Sequence, residues 1–164
     1  MKKLYLIGGP MGVGKTAVGQ ELKRKLSRSV FLDGDWCWDA NPFQVTAETQ
    51  KMVLENICFL LNQFIRCSAY EHIIFCWVMH EQSIIDGILR NLETTNCEIK
   101  AISLLCAADE LRERLSRGIA AGRREPDVLE RSLARMPLYD QLNTIKINTS
   151  GKTVGEIAEE LARL

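Results

Sequence analysis

No apolar run in this 164-residue chain approaches the length of a transmembrane helix, so the sequence carries no signal for a membrane span. Charge of one sign is not in excess either. Lys and Arg number 21, as do Asp and Glu, and the overall charge therefore suggests neither a nucleic-acid nor a membrane-surface partner. The six cysteines contain no C-x-x-C pair and several fall in apolar runs. That pattern predicts free thiols in a reducing cytoplasm, not disulfides or a zinc site. Met1-Lys2-Lys3 is followed by only four apolar residues before Gly8, too few for the core of a secretory leader. Repeats, low-complexity tracts and linkers are also missing, and the length suits one domain over residues 1–164.

Against that plain background one stretch stands out: Gly9-Pro10-Met11-Gly12-Val13-Gly14-Lys15-Thr16, which reads G-x-x-x-x-G-K-T. The short apolar run Leu4–Ile7 precedes it as a strand, and Val18, Leu22 and Leu26 follow at the four-residue spacing of a helix face. A loop in that position turns its backbone N–H groups inward at the positive end of a helix dipole. Its glycines let the backbone approach a polyphosphate closely. Lys15 then reaches the β- and γ-phosphates and the Thr16 hydroxyl ligates Mg²⁺. The stretch predicts a nucleoside triphosphate site.

Strand and helix patterns alternate along the rest of the chain. Strands are expected at Val30–Leu32, His72–Val78, Ile99–Cys106 and Ile145–Ile147. Helices are expected from near Ala47 to Cys67, about Glu81 to Leu92, Asp109 to Arg117, and Asp127 to Pro137, where the proline should kink or end the helix. A last helix starts at the capping pattern Thr153-x-x-Glu156 and turns Val154, Ile157, Ala158 and Leu161 inward. Such alternation predicts a parallel sheet covered by helices on both faces, with ligands beyond the strand C-termini. The phosphate loop, Asp33 and Asp35, His80 and the Asn148–Gly151 turn all fall at those ends.

Asp33-Gly34-Asp35 ends the second strand with two carboxylates. Beside a phosphate loop, one can hold the metal and the other can accept the proton of an attacking hydroxyl. Trp36 and Trp38 follow, either as a stacking wall for a substrate or as a cap on the edge of the core. His80 stands where other phosphate-loop enzymes carry a metal-binding aspartate. It either hydrogen-bonds the substrate or caps the next helix. Seven of the twelve arginines lie between Arg112 and Arg135. Arg114, Arg117, Arg123 and Arg124 flank a glycine-punctuated break, the composition of a lid, about residues 114–127, that closes over a transferring phosphoryl. The same arginines could instead pair with Glu110, Glu113, Glu125 and Glu130 on a solvated helix.

These features together resemble the small phosphate-loop kinases of the nucleoside-monophosphate-kinase type. Phe31-Leu32-Asp33-Gly34-Asp35 looks like the D-G-D segment of gluconate and adenylylsulfate kinases and is similar to the D-x-D of shikimate kinase. Arg124-x-x-Asp127-x-x-Glu130 with Arg135 looks like the lid and following helix of adenylate kinase, and Ile147-Asn148-Thr149-Ser150 resembles the ending of chloramphenicol phosphotransferase-like kinases. The resemblance implies a three-layer α/β/α phosphate-loop fold with a five-stranded parallel sheet in the order 2-3-1-4-5. It further implies ATP and Mg²⁺ as cofactors, metal binding by Thr16 with Asp33, Asp35 contacting or deprotonating the acceptor, Arg117 on the nucleotide base, and Arg124 and Arg135 on phosphates, while the lid composition puts Arg123 or Arg124 over the transferring group. Two departures matter. The acceptor-phosphate arginines of adenylate kinases are replaced by Trp38 and by His80-Glu81-Gln82, so a small-molecule hydroxyl is the expected acceptor. Arg66 or Arg90 reaching in from a helix would restore a nucleotide-kinase reading. A nucleotide-dependent switch with slow hydrolysis is the remaining alternative.

Overall fold

A computed structural model describes all of residues 1–164. In it β1 (Lys2–Gly8), β2 (Ser29–Asp33), β3 (His72–Cys76), β4 (Cys97–Leu105) and β5 (Ile145–Asn148) form one sheet in the order β2-β3-β1-β4-β5. All pairings are parallel, with Lys3 opposite His72 and Gly8 opposite Ser103. The order is the one the resemblance implied. β1 is central, hydrogen-bonded on both sides and covered on both faces, which is why Leu4 to Ile7 is a continuous apolar run with no residue more than 1 % exposed. β5 lies at an edge and shows only Ile147 to the core.

The helices are α1 (Lys15–Lys25), α2 (Ala47–Arg66), α3 (Gln82–Arg90), α4 (Ala108–Ala120), α5 (Val128–Asp140) and α6 (Val154–Ala162). On one face Val18 and Leu22 of α1, Leu111 and Leu115 of α4, and Ile157 and Leu161 of α6 pack on Tyr5, Ile7, Ile102 and Leu104. On the other, Val53, Ile57 and Leu61 of α2 and Ile85 and Ile88 of α3 pack on Leu4, Leu6, Ile73 and Phe75. Each such side chain contributes roughly 1.5–3 kcal/mol when removed from water. Capping boxes fix two helix starts, Thr46 with Thr49 at α2 and Thr153 with Glu156 at α6.

Four local expectations are corrected. β3 stops at Cys76 rather than Val78, because the chain turns through Met79 at φ 36. α4 continues past Arg117 to Ala120, with Gly118 buried inside it. Pro137 does not end α5, which runs on to Asp140 and buries Tyr139. The lost N–H is tolerated because the Tyr139 hydroxyl ties this turn down, donating to the Val78 carbonyl at 2.6 Å. Val154, in the first turn of α6, is 40 % exposed and outside the core.

Candidate active site

Parallel strands end together, so Gly8, Asp33, Cys76, Leu105 and Asn148 bring their following loops to one edge of the sheet. Gly9 to Gly14 connect β1 to α1 there, with Gly9, Gly12 and Gly14 all at positive φ, while Lys15 and Thr16 open the helix. The first turn of α1 holds no acidic residue and its last turn holds Lys23, Arg24 and Lys25. That distribution leaves the positive end of the helix free for an anion. Lys15 folds back over the loop, its Nζ donating to the carbonyls of Gly9 at 2.9 Å and Pro10 at 3.0 Å. Burial lowers the Lys15 ammonium to a pKa of about 8, opposed by the nearby Cys76, Asp35 and Asp33. Val13 is buried in the core and its carbonyl accepts from Arg114 Nη1 at 3.0 Å, so that arginine braces the loop from α4 while also pairing with Glu110.

The two aspartates are brought to the helix start and given different settings. Asp33, only 7 % exposed, accepts from Thr16 Oγ1 at 2.7 Å through Oδ2 and from the Asp35 backbone N–H at 3.0 Å through Oδ1. The second bond starts a 3₁₀ turn over Gly34–Trp38 that carries Asp35 to the open side. Asp35 accepts from Trp77 Nε1 at 3.2 Å. Burial, then the Asp33 charge, raises its carboxyl above the ordinary value, against the pull of Lys15, Trp77 and Arg124. Thr16 and Asp33 together offer two hard oxygen donors. No group of three or more His, Cys, Asp and Glu side chains could hold a metal. The pair therefore fits a cation such as Mg²⁺, which keeps waters and shares itself with substrate phosphates, and does not fit zinc.

The aromatic residues separate. Trp38 meets Phe43 edge-on at 4.8 Å and Trp77 at 6.3 Å and packs on the α2 face of the core. Trp36 is 58 % exposed and meets Phe31, which packs on the α1 face. The two rings do not make one wall. His80 lies four residues beyond the end of β3, with Nε2 3.4 Å from Glu81 and a buried Nδ1 that has no partner. Burial and then the Arg135 charge hold its imidazole below the usual value.

Among the arginines, Arg124 is half-buried and close enough to act on the charges of Lys15 and Asp35. Arg117 pairs with Glu113 at 3.4 Å on an exposed face of α4, and Arg123 is exposed. Arg66 ends α2 and pairs with Glu93, and Arg90 ends α3 beside Asn91, whose carbonyl accepts from Asn62 of α2. Both helices run back from the site, so these two arginines lie at the opposite edge of the sheet and do not reach in. Thr149 is fully buried and donates twice to the Leu105 carbonyl, fixing the turn after β5 beside the phosphate loop's flank. Sequence reasoning missed Trp77 and Cys76. The Cys76 thiol donates to the Lys15 carbonyl at 3.4 Å. The available signal was position: Cys76 ends the β3 apolar run, paired with Asp33 on the neighbouring strand, and Trp77 follows it directly.

A family model described as AAA domain matches residues 6–131. No curated protein matches the chain. Solved structures similar to it include a gluconokinase from Sinorhizobium meliloti, at 17 % identity over 98 % of this chain and 90 % of that one, with a TM-score of 0.71. The tunicamycin resistance protein of Deinococcus radiodurans is 18 % identical over 99 % of this chain and 95 % of its own, with a TM-score of 0.72. Shikimate kinase from Acinetobacter baumannii, solved with shikimate, is 18 % identical over 99 % and 92 %, with a TM-score of 0.65. At these identities the likeness establishes a shared fold.

Proposed function

The chain belongs to the AAA domain family and has a three-layer α/β/α phosphate-loop fold, and on that footing we propose that it is a cytoplasmic, ATP- and Mg²⁺-dependent kinase phosphorylating a hydroxyl of a small molecule. One observation carries the reading. Asp33 faces the loop threonine through a 2.7 Å bond, whereas Asp35, two residues on, is turned away from it and held by Trp77. One carboxylate is committed to the metal seat and the other is left for an acceptor.

In this reading Mg·ATP, when bound, supplies an electrophilic γ-phosphorus and a leaving ADP. Thr16 and Asp33 would hold the cation. Lys15 would turn from the carbonyls of Gly9 and Pro10 to the phosphates, and backbone N–H groups of the loop and of the α1 start would take the remaining phosphate charge. Asp35 orients the acceptor hydroxyl and takes its proton as the new P–O bond forms and the bond to the β-phosphate oxygen breaks. The raised carboxyl of Asp35 makes it a better base than an ordinary aspartate. Arg124 neutralises charge on the transferring group. Trp38 and Trp77 line the acceptor side, and His80 bounds it.

The acceptor is read as hydroxyl-bearing and without a phosphate, since Trp38 occupies the first clamp position and Arg66 and Arg90 end at the far edge. The test is ADP production from Mg·ATP against nucleosides, nucleoside monophosphates, sugar acids, aminoglycosides and other alcohols. Stimulation by one hydroxyl compound supports the reading, and stimulation only by monophosphates overturns it. With that acceptor, Asp35→Asn should keep ATP binding and lose transfer, and Lys15→Ala should lose nearly all turnover. Normal turnover by Asp35→Asn would remove the base assignment.

A further inference from the structure

α4 carries a glycine where a helix has no use for one. Gly118 is buried, lies two residues before the helix end at Ala120, and stands where a residue bearing a methyl group would stabilise the helix. What occupies the missing side chain's place is Arg124. A Cβ on Gly118 would lie 2.9 Å from Arg124 Cδ, 3.0 Å from Nε and 3.3 Å from Cγ. The aliphatic stem of the arginine thus runs in a trough whose floor is the Gly118 backbone.

The chain is steered into that trough by the end of the helix itself. The Arg123 N–H bonds back to the Gly118 carbonyl at 3.0 Å and the Gly122 N–H to the Ile119 carbonyl at 3.0 Å, with Gly122 at φ 70. These paired bonds reverse the chain directly after α4. The residue two places beyond the reversal, Arg124, is laid back along the helix that also braces the phosphate loop through Arg114 and Val13. Arg123, next to it, is exposed, which is why only one member of the Arg-Arg pair is delivered.

We propose that Gly118 is a positioning residue: its bare backbone seats the Arg124 side chain so that the guanidinium stays beside Lys15 and Asp35. The kinetic half of this rests on the kinase reading above; the seat itself does not. Any side chain at 118 lifts the stem and displaces the charge by about an ångström, a misplacement that can cost about 10²-fold in turnover.

The experiment is a double-mutant cycle with Gly118→Ala, Arg124→Ala and both, followed by thermal unfolding and by kcat with the acceptor found in the panel. In the Arg124→Ala background the trough is empty, so Gly118→Ala should raise Tm by roughly 2–4 °C and leave kcat unchanged. In the native background it should give no such gain in Tm and should lower kcat about 10²-fold with KM for ATP unchanged. An equal Tm change in both backgrounds overturns the seat. Equal kcat losses in both backgrounds, or no loss in the native one, overturn the positioning role. Failure of the kinase reading shows differently: no compound stimulates turnover in the native protein, while the Tm cycle still decides the seat.

Discussion

Lys15 is the residue whose environment has the clearest solution consequence. Burial lowers its ammonium to about 8, whereas the unfolded chain keeps it near the ordinary 10.5. Between those values the unfolded state binds more protons than the folded one, so the contribution of Lys15 to stability rises with pH from about 8 to about 10.5 and is complete above that. The nucleotide-free protein should therefore gain Tm between pH 7.5 and 9.5 relative to Lys15→Met, a difference read directly from paired melts at about half-unit steps. Affinity for a nucleoside triphosphate should move the other way and weaken as pH rises through about 8, because the uncharged amine no longer neutralises phosphate. Trp77 makes a second prediction at this scale. Trp77→Phe keeps a ring over Gly34 and deletes only the N–H that Asp35 accepts. That bond lowers the Asp35 carboxyl and fixes its direction, so the variant should move the acid limb of the kcat profile to higher pH and, with the carboxylate no longer aimed, lower kcat about tenfold with KM for ATP unchanged. A fall in ATP affinity instead would place Trp77 with the phosphate loop and not with the base.

At the scale of elements, α5 explains why part of the site was hidden in the sequence. Pro137 reads as a helix stop, yet the helix continues one turn because its end is anchored from outside. Tyr139 reaches across to the Val78 carbonyl, which also accepts the Gly9 N–H at 3.4 Å, so the helix that follows the Gly122 turn is tied to the first residue of the phosphate loop. Tyr139→Phe should cost about 1–3 kcal/mol, the range for stripping a partner from a buried polar group, and should show as a lower denaturant midpoint with an unchanged slope. Regular elements were legible because periodicity reports burial: the stripe of α2, the run of β1 and the Thr153–Glu156 cap all came through. Anchors between distant segments leave no period. Trp77 to Asp35, Arg114 to Val13 and Tyr139 to Val78 each join residues more than 40 positions apart. Trp36 and Trp38 part from each other for a related reason. In the 3₁₀ turn that carries them, residues two apart diverge, one ring to each face of the sheet edge.

At the scale of the whole molecule, the proposed acceptor's character turns on which charges lie at which edge. The helices that follow β2 and β3 start at the site and run back antiparallel to the strands, so their basic last turns fall at the far edge. Arg66 is held there by Glu93 in an exposed pair that solvent screens. On the proposed reading the acceptor side holds Trp38, Trp77 and a histidine kept below its usual pKa by burial and the Arg135 charge, with Lys15 and Arg124 on the donor side. A monophosphate placed against Trp38 and Trp77 would lose its hydration without gaining a guanidinium from the ends of α2 or α3. Arg66→Ala and Arg90→Ala should accordingly leave kcat/KM for the acceptor within about twofold, as expected for exposed charges remote from the chemistry. A loss about tenfold or greater in either variant, seen with a monophosphate acceptor and absent with its dephosphorylated form, would mean that one of these helices swings its end to the site, and the hydroxyl reading would give way to a nucleotide kinase.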